Sequence, residues 1–448
     1  MSKIRLHGSS SGYTEIAPVA ASGNNTLTLP NDGTIISKDA NGAVGVTSVH
    51  TTNITATGIA TITTAKIGAG VTITESGIEA SGIGITCASI NGTQIGGRRN
   101  IIINGAMQVA QRGTSNTTNN GYGTVDRFAL YAGNTDEAVT QSQADVSSGT
   151  TPYTSGFRKS FKLTNGNQTS GAGAADYVGI EYYFEAQDIA NSGWNYTSAS
   201  SFITLQFWVK SSVAQNFYGY FVTQDGTVKM YPIQTGSLSA DTWTKITKTI
   251  PGHADLQFDN NVNTGLILLL IPFYGTNYTS SSVSLNAWKD NDGAARMPDN
   301  TSTWYTTNDA TFEITGVQLE VGSQATPFEH RSIGEEMKLC ERYYEKSYNH
   351  SVVPGTATDD GMCMFISNRS NGAPHTMLRF RTTKRANPTM TCFNPEVTDN
   401  NNIRDVDSGS NLSALLNRTG ENGCTVYHGG NVALGQFLSF HYTAAAEL

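Results

Sequence analysis

Residues 51–97 read TTNITATGIATITTAKIGAGVTITESGIEASGIGITCASINGTQIGG. Isoleucines fall at positions 54, 59, 62, 67, 73, 78, 83, 85, 90 and 95, mostly five residues apart. That spacing matches neither the helical repeat nor an unbroken two-residue strand alternation. Ile, Val and Thr favour extended backbone, and Gly offers a turn every few residues. The segment has too few large side chains to build a core alone. Its isoleucines gain burial only against copies of themselves. It therefore predicts a thin β shaft in a homo-oligomer, a homotrimer wound about one axis.

Working outward, the chain has 448 residues, enough for about three domains at roughly 150 residues each. Only 14% of residues are charged, and glycines number 46. Low charge with abundant Thr, Ser and Asn suits β-rich proteins that work outside cells. A formal net charge of −8 offers nothing to offset phosphate repulsion, so nucleic acid is not an expected partner. The short basic clusters Arg98-Arg99 and Lys384-Arg385 read as surface or interface charges. The cysteines at 87, 340, 363, 392 and 424 are odd in number and form no CxxC. They signal neither a disulfide framework nor a zinc site. The apolar run Leu266–Ile271 before Pro272 is too short to span a bilayer and reads as a buried strand.

Residues 1–45 carry two short extended pieces, near Tyr13–Ile16 and Thr26–Leu29, separated by the turn residues Gly-Asn-Asn. Residues 46–97 form the shaft. From residue 98 aromatics appear and strands lengthen, with candidates at Tyr177–Glu185, Phe202–Ser211, Phe217–Thr223, Trp243–Thr249, Gly265–Tyr274 and Thr311–Leu319. Long polar loops separate them, as in an antiparallel β-sandwich or jelly roll over 98–331. A linking helix is expected within 332–347. Ser332 and Glu335 make a capping box, and Ile333, Met337, Cys340 and Tyr344 share a face. Residues 348–448 read as a small C-terminal β domain, with strands at Met362–Ile366, Thr376–Arg381, Met390–Phe393, Cys424–Tyr427 and Gln436–Tyr442. The fold class is thus mostly β.

Two stretches carry a resemblance. RNIIINGAMQVAQRG (99–113) with TVDRF (124–128), and FEITGVQLEVGSQATPFEHRSIGEEMKLCERYYEKS (312–347), look like the opening and closing strands of a carbohydrate-binding-module-like jelly roll of bacteriophage tail fibres. The framework is similar to family 4/9 carbohydrate-binding modules, with FITLQFWVKSS (202–212) and DTWTKITKTI (241–250) as middle strands. The segment GSSSGYTEIAPVAASGNNTLTLP (8–30) looks like one found in marine and cyanobacterial phage fibres. The resemblance covers most of 1–347. It implies a virion tail fibre, attached through its N-terminus to tail adaptor or nozzle proteins and binding host surface polysaccharide or lipopolysaccharide. The opening Met-Ser-Lys-Ile-Arg-Leu-His shows no secretory apolar stretch, which fits a virion component released by lysis. Many family 4/9 modules hold a structural calcium with a Glu and an Asp of these motifs. Gln108 and Thr315 stand there instead, neither with the charge a hard cation prefers. No cofactor is therefore expected, and calcium has weak support.

Sugar recognition needs flat apolar faces to stack on pyranose rings and planar polar groups for their hydroxyls. The richest loop candidates are Trp194-Asn195-Tyr196, Trp288-Lys289-Asp290 and Trp304-Tyr305, with Tyr153 and Tyr278 as additions. Each aromatic could equally pack on its own loop or at a subunit interface. Trp208 and Trp243 belong to strands and are assigned to the core. Asp126-Arg127 reads as an ion pair pinning the first strand of the sandwich.

Gly8-Ser9-Ser10-Ser11-Gly12 fits G-x-S-x-G but lacks the strand and helix of a nucleophile elbow. Asp259–Gly265 mimics a calcium loop with its Gly one place late. Asp290, Asp292 and Asp299 read as ordinary loop acids. The eight histidines show no HExxH. A hydrolytic pair among Glu181, Glu185, Asp255 and Glu313 stays open, but the long β-helix typical of tailspike depolymerases is missing.

The resulting expectation is a non-catalytic, receptor-binding tail fibre. The alternatives are a glycan-degrading tailspike and a purely structural connector. Within the first reading, the jelly roll and the C-terminal tip compete as the binding end. The shaft generates one prediction: the intact chain sediments at three times its 47.8 kDa mass. Replacing Ile73 and Ile78 with Asp lowers that mass in analytical ultracentrifugation. Monomers in both cases would refute the self-association.

Overall fold

The computed structural model describes residues 99–117, 120–369, 372–398 and 401–448, with Gly12 and the backbone of seven short strands before them. The chain divides into two compact units, Met1–Thr86 and Cys87–Leu448. In the first, Ile4–His7 pairs antiparallel with Tyr13–Ile16. Thr64–Ile67, Val71–Thr74 and Gly77–Ala80 form a small antiparallel sheet. The piece expected at Thr26–Leu29, and the rest of the attachment segment and shaft, lie outside the described residues.

The second unit is built on a sandwich of antiparallel strands: β1 (Ala129–Gly133), β2 (Thr140–Asp145), β3 (Lys159–Thr164), β4 (Tyr177–Glu185), β5 (Phe202–Ser211), β6 (Asn216–Thr223), β7 (Lys229–Ser237), β8 (Thr244–Pro251), β9 (Thr264–Tyr274) and β10 (Thr311–Val321). One sheet runs β7-β6-β9-β4-β1, with the short strands Lys289–Asp290 and Asn120–Gly121 at its two edges. The other runs β8-β5-β10-β3-β2, ending on Ser115–Thr117.

Side chains along a strand point alternately to its two faces, and each strand here spends one set on the core. Val178, Ile180, Tyr182 and Phe184 of β4 meet Ile203, Leu205, Phe207 and Val209 of β5 in one buried cluster. Each such side chain contributes about 1.5–3 kcal/mol by leaving water. Parity breaks once in β10, where the register against β5 shifts between Gln206 and Trp208. Phe312 and Ile314 point inward before the shift, Val317 and Leu319 after it. The bulge falls at Gly316, with φ +61 and the Phe157 ring 2.6 Å from where a Cβ would stand. Only glycine fits that place.

Trp208 corrects its core assignment. The inward parity of Phe207 and Val209 turns it outward, and it is half-buried.

The linking helix spans Ile333–Glu341 with the expected capping box between Ser332 and Glu335. It stops short of the expected end. Tyr344–Lys346 leaves as a strand paired with Phe437–Ala445. Strand pairing captures Tyr344 from the helical face, and Ile333, expected on that face, is 56% exposed. Phe437–Ala445 is the spine of the C-terminal lobe and also pairs with Cys363–Ile366, Thr389–Phe393 and Asn402–Asp405. His375–Arg379, Gly423–Tyr427 and Leu415–Gly420 form a second sheet there.

Lobe and sandwich share a charged seam. Asp126 and Arg127 each enter an ion pair, with partners other than one another. Asp126 accepts from Gln111 and sits 3.5 Å from Arg112. Arg127, 1% exposed, donates to the Glu447 carboxylate at 2.6 Å and to the Tyr183 carbonyl at 2.6 Å. Its guanidinium lies 3.5 Å from the Tyr343 ring centroid. From the other side, Arg342 and the Tyr343 hydroxyl grip Glu185 at the end of β4, each at 2.6 Å. Arg112 also holds Glu447, at 3.0 Å, so without Arg127 that carboxylate keeps one charged partner. Arg127→Met should therefore cost less than a stranded buried charge, about 1.5–3 kcal/mol in urea unfolding. An unchanged midpoint would show that the seam contributes nothing.

Candidate functional site

The outward parity of the larger sheet builds a second apolar cluster. On β4 the outward residues are Tyr177, Gly179, Glu181 and Tyr183. Beside them stand Tyr131 of β1, Ile267, Leu269 and Ile271 of β9, and Tyr218 and Tyr220 of β6. Tyr220, Leu269, Ile271, Tyr274 and Met297 are buried in this cluster, with Tyr131, Tyr177, Tyr218 and Tyr278 packed around them. The segment after β9 folds back over the face. Arg296 donates its backbone N–H to the Tyr278 carbonyl at 2.9 Å, and Met297 is fully buried.

Register places glycine opposite tyrosine twice on this face. Tyr131 faces Gly179, and Gly133 faces Tyr177. The Tyr131 and Tyr177 rings lie 4.4 Å apart. A Cβ at residue 133 would come within 2.5 Å of the Tyr177 ring. The missing side chain at 133 makes room for the Tyr177 ring, and the one at 179 makes room for Ile271, 2.6 Å from where a Cβ would stand.

The loop leaves uncovered a groove of about 250 Å³, lined by Tyr131, Glu181, Tyr220, Gln224, Asn291 and Arg296 above an apolar floor. Glu181 is buried and accepts from the Tyr183 hydroxyl at 2.5 Å. Burial raises its carboxyl above the ordinary 4.5, against the pull of Tyr183 and Arg296. Burial also pushes the Tyr220 phenol up to about 12, and this hydroxyl shares a 2.8 Å hydrogen bond with Tyr274. The Arg296 guanidinium lies 5.1 Å from the Tyr278 ring and 3.4 Å from the Tyr274 hydroxyl. Tyr220 is buried, so the groove combines the half-buried Tyr131 ring with one carboxylate, one guanidinium and two amides. Those are one stacking surface and several directional partners for a polyhydroxylated ring.

The loop candidates fare differently. Trp194 is 3% exposed, bonded through Nε1 to the Ser201 carbonyl, and Trp304 is 0% exposed, bonded to the Thr311 carbonyl. Tyr305 is 1% exposed, stacked on Phe273 at 4.3 Å, its hydroxyl on Asp176. These three offer no ring to a ligand. Their loops fold back and spend the rings on the sandwich core. Tyr196 is half-buried against Phe258, and Asn195 is exposed. Trp288 is half-buried and bonds the Pro251 carbonyl at 2.7 Å. Because His253 bonds the Tyr196 carbonyl, Tyr196 and Trp288 flank the same end of β8. Asp290 pairs with Lys229 at 2.7 Å, and Trp304-Tyr305 lies elsewhere, beside Asn165. Of the additions, Tyr278 packs against the apolar cluster next to the Arg296 guanidinium and does not line the groove, while Tyr153 sits under Arg158.

The four open carboxylates do not converge. Glu181 and Glu185 stand four residues apart on one strand, roughly 13 Å, beyond hydrolytic reach. Glu313 pairs with Lys210 on the other sheet, and Asp255 pairs with Lys229. Gln108 gives its carbonyl to Gln143, and the Thr315 hydroxyl donates to the Lys159 carbonyl. Among the described residues no cluster of three potential metal ligands gathers.

No protein-family model and no curated protein matches the chain. Among solved structures, it is similar to the enzymatically active domain of tailspike protein 4 of bacteriophage CBA120, with TM-score 0.27 and 9% identity. That match covers 50% of this chain and 21% of the tailspike. It is also similar to the N-terminal cellulose-binding domain of Cellulomonas fimi β-1,4-glucanase C, with TM-score 0.23 and 10% identity over 44% of this chain and 90% of that one. A family 11 carbohydrate-binding module of Clostridium thermocellum matches with TM-score 0.22 and 12% identity, over 48% of this chain and 99% of the module. Likeness at this level assigns neither family nor activity.

The glycine–tyrosine pairing makes its own prediction. Gly133→Ala should displace the Tyr177 ring and cost about 1–3 kcal/mol, read by thermal melting and the shift of that ring's NMR resonances. An unmoved ring at unchanged stability would contradict the packing described.

Proposed function

We propose that this chain is a non-catalytic phage tail fibre protein that attaches the virion to host surface polysaccharide or lipopolysaccharide. The observation that carries the reading is the groove on the larger sheet. The half-buried Tyr131 ring stands there beside Glu181 and Arg296, polar groups held at fixed places on a strand and a pinned loop. Support for the fibre comes from the isoleucine-spaced segment 51–97 and from the motifs at 99–128 and 312–347. Three chains would present three such grooves on one shaft. Weak single contacts then add through avidity without new contacts. No bond need be broken for attachment, and the groove supplies binding groups rather than an acid–base pair.

Binding of the purified chain to surface polysaccharide extracted from host cells tests this. A hydrogen bond to a charged group is worth about 1.5–3 kcal/mol, so Arg296→Ala should weaken binding roughly tenfold or more. Tyr131→Ala should weaken it severalfold. Because an ionised Glu181 accepts hydroxyl hydrogen bonds more strongly than a neutral carboxyl, and burial raises its carboxyl, affinity should fall as pH drops through a midpoint above 4.5. Glu181→Gln should remove that pH dependence. Release of reducing ends from the polysaccharide, or binding indifferent to all three changes, would overturn the proposal.

A further inference from the structure

The opposite face of the sandwich holds a groove of another character. The outward residues of β5 are Thr204, Gln206, Trp208 and Lys210. Trp208 is a large apolar ring among polar neighbours, half-buried because it forms the wall of a groove of about 580 Å³. The opposite wall is the segment after β10, with Phe328 and His330, and Phe157 closes one end.

These walls are fixed in advance. The Thr326 backbone N–H donates to Glu320 at 2.8 Å, and the Thr326 carbonyl accepts from Gln206 at 2.6 Å. Glu329 donates its N–H to Gln318 at 2.8 Å. Phe157, Phe328 and His330 pack on one another with centroids 4.9–5.2 Å apart. A site so braced loses little ordering entropy when it is filled.

Charge decides the occupant. The lining contains no Asp or Glu, in a chain of net charge −8. Lys245 is exposed, stands directly across from Trp208 in the β5–β8 register, and makes no ion pair among the described residues. Beside Phe157, the Arg158 guanidinium donates, among the described residues, to the backbone carbonyls of Tyr153 and Phe157. The nearby acids of this face are spent. Glu313 pairs with Lys210, and Glu320 accepts from Thr326 and Gln318.

A flat indole with an unpaired ammonium across the strand is built for a ring that carries a negative charge. We infer that this groove is a second saccharide site, selective for a pyranose bearing a carboxylate, that is, a uronic acid unit. The ring stacks on Trp208 and the carboxylate takes a charge-assisted hydrogen bond from Lys245. The inference does not rest on the tyrosine groove, and either site can fail alone.

Calorimetry of the full chain with a trimer of galacturonic acid, and with its carboxyl-reduced counterpart, tests it. The acid should bind at least about tenfold tighter than the reduced sugar, corresponding to about 1.4 kcal/mol. Lys245→Ala should abolish that preference, and added salt should diminish it. Trp208→Ala should remove binding of both sugars, and should they be lost through misfolding, Trp208→Phe keeps the test open. In the wild type the acid changes tryptophan fluorescence, and in Trp208→Phe the change disappears while Tyr131→Ala retains it. Equal binding of the two sugars, or no binding of the acid, would overturn the inference. Binding lost in Tyr131→Ala but kept in Trp208→Ala would also overturn it, by placing the acid in the other groove.

Discussion

The pleat of β4 is the constraint on which the rest depends. Once Val178, Ile180, Tyr182 and Phe184 are committed to the core, Tyr177, Gly179, Glu181 and Tyr183 must face outward. A slip of one residue would drive the Glu181 carboxylate between the two sheets and turn the core set outward. The same nine residues therefore fix both the packing of the sandwich and the groups of the groove. Glycine at 133 and 179 is part of that constraint, because the Tyr177 ring needs the space at the first and Ile271 at the second.

The seam with the C-terminal lobe holds this strand at its far end. Arg127 reaches the Tyr183 carbonyl, and Arg342 and Tyr343 reach Glu185. Arg127 adopts φ 72, a left-handed conformation that costs an ordinary residue roughly 1–2 kcal/mol. It is held there by Glu447, Tyr183 and Tyr343 together. Inside the lobe, Lys384 and Glu345 form a fully buried pair at 2.5 Å, with the Tyr442 hydroxyl on the same carboxylate. Such pairs are weak as net stabilisers, but they tolerate few alternative geometries.

The fold was legible where hydrophobic runs were long. β4 and β5 match their expected limits, and β6, β9 and β10 differ by a residue or two. The capping box gave the helix start, but nothing local announced that Tyr344 would pair with Ala445. β2, TQSQAD, and β7, KMYPIQTGS, carry too much polar or irregular sequence to stand out. The candidate site was less legible, because Trp194 and Trp304 sit on loops whose return to the core has no local signature. The useful signal was in YVGIEYYFE and NFYGYFVT, where tyrosines fall out of step with the apolar set. The same test in FITLQFWVKS separates Trp208 from Phe207. Arg296 comes from a distant loop and could not be assigned to the groove from sequence.

The two grooves lie on the outer surfaces of opposite sheets, with the whole core between them. Stacked sheets are about 10 Å apart, and side chains add to that on each side. One straight saccharide strand cannot lie along both surfaces at once. Occupying both would require a strand that bends around the sandwich edge or two separate strands. In the second case, were both grooves to hold saccharide, each sandwich would join two strands, and the polysaccharide would be drawn together as a network rather than gripped at a point.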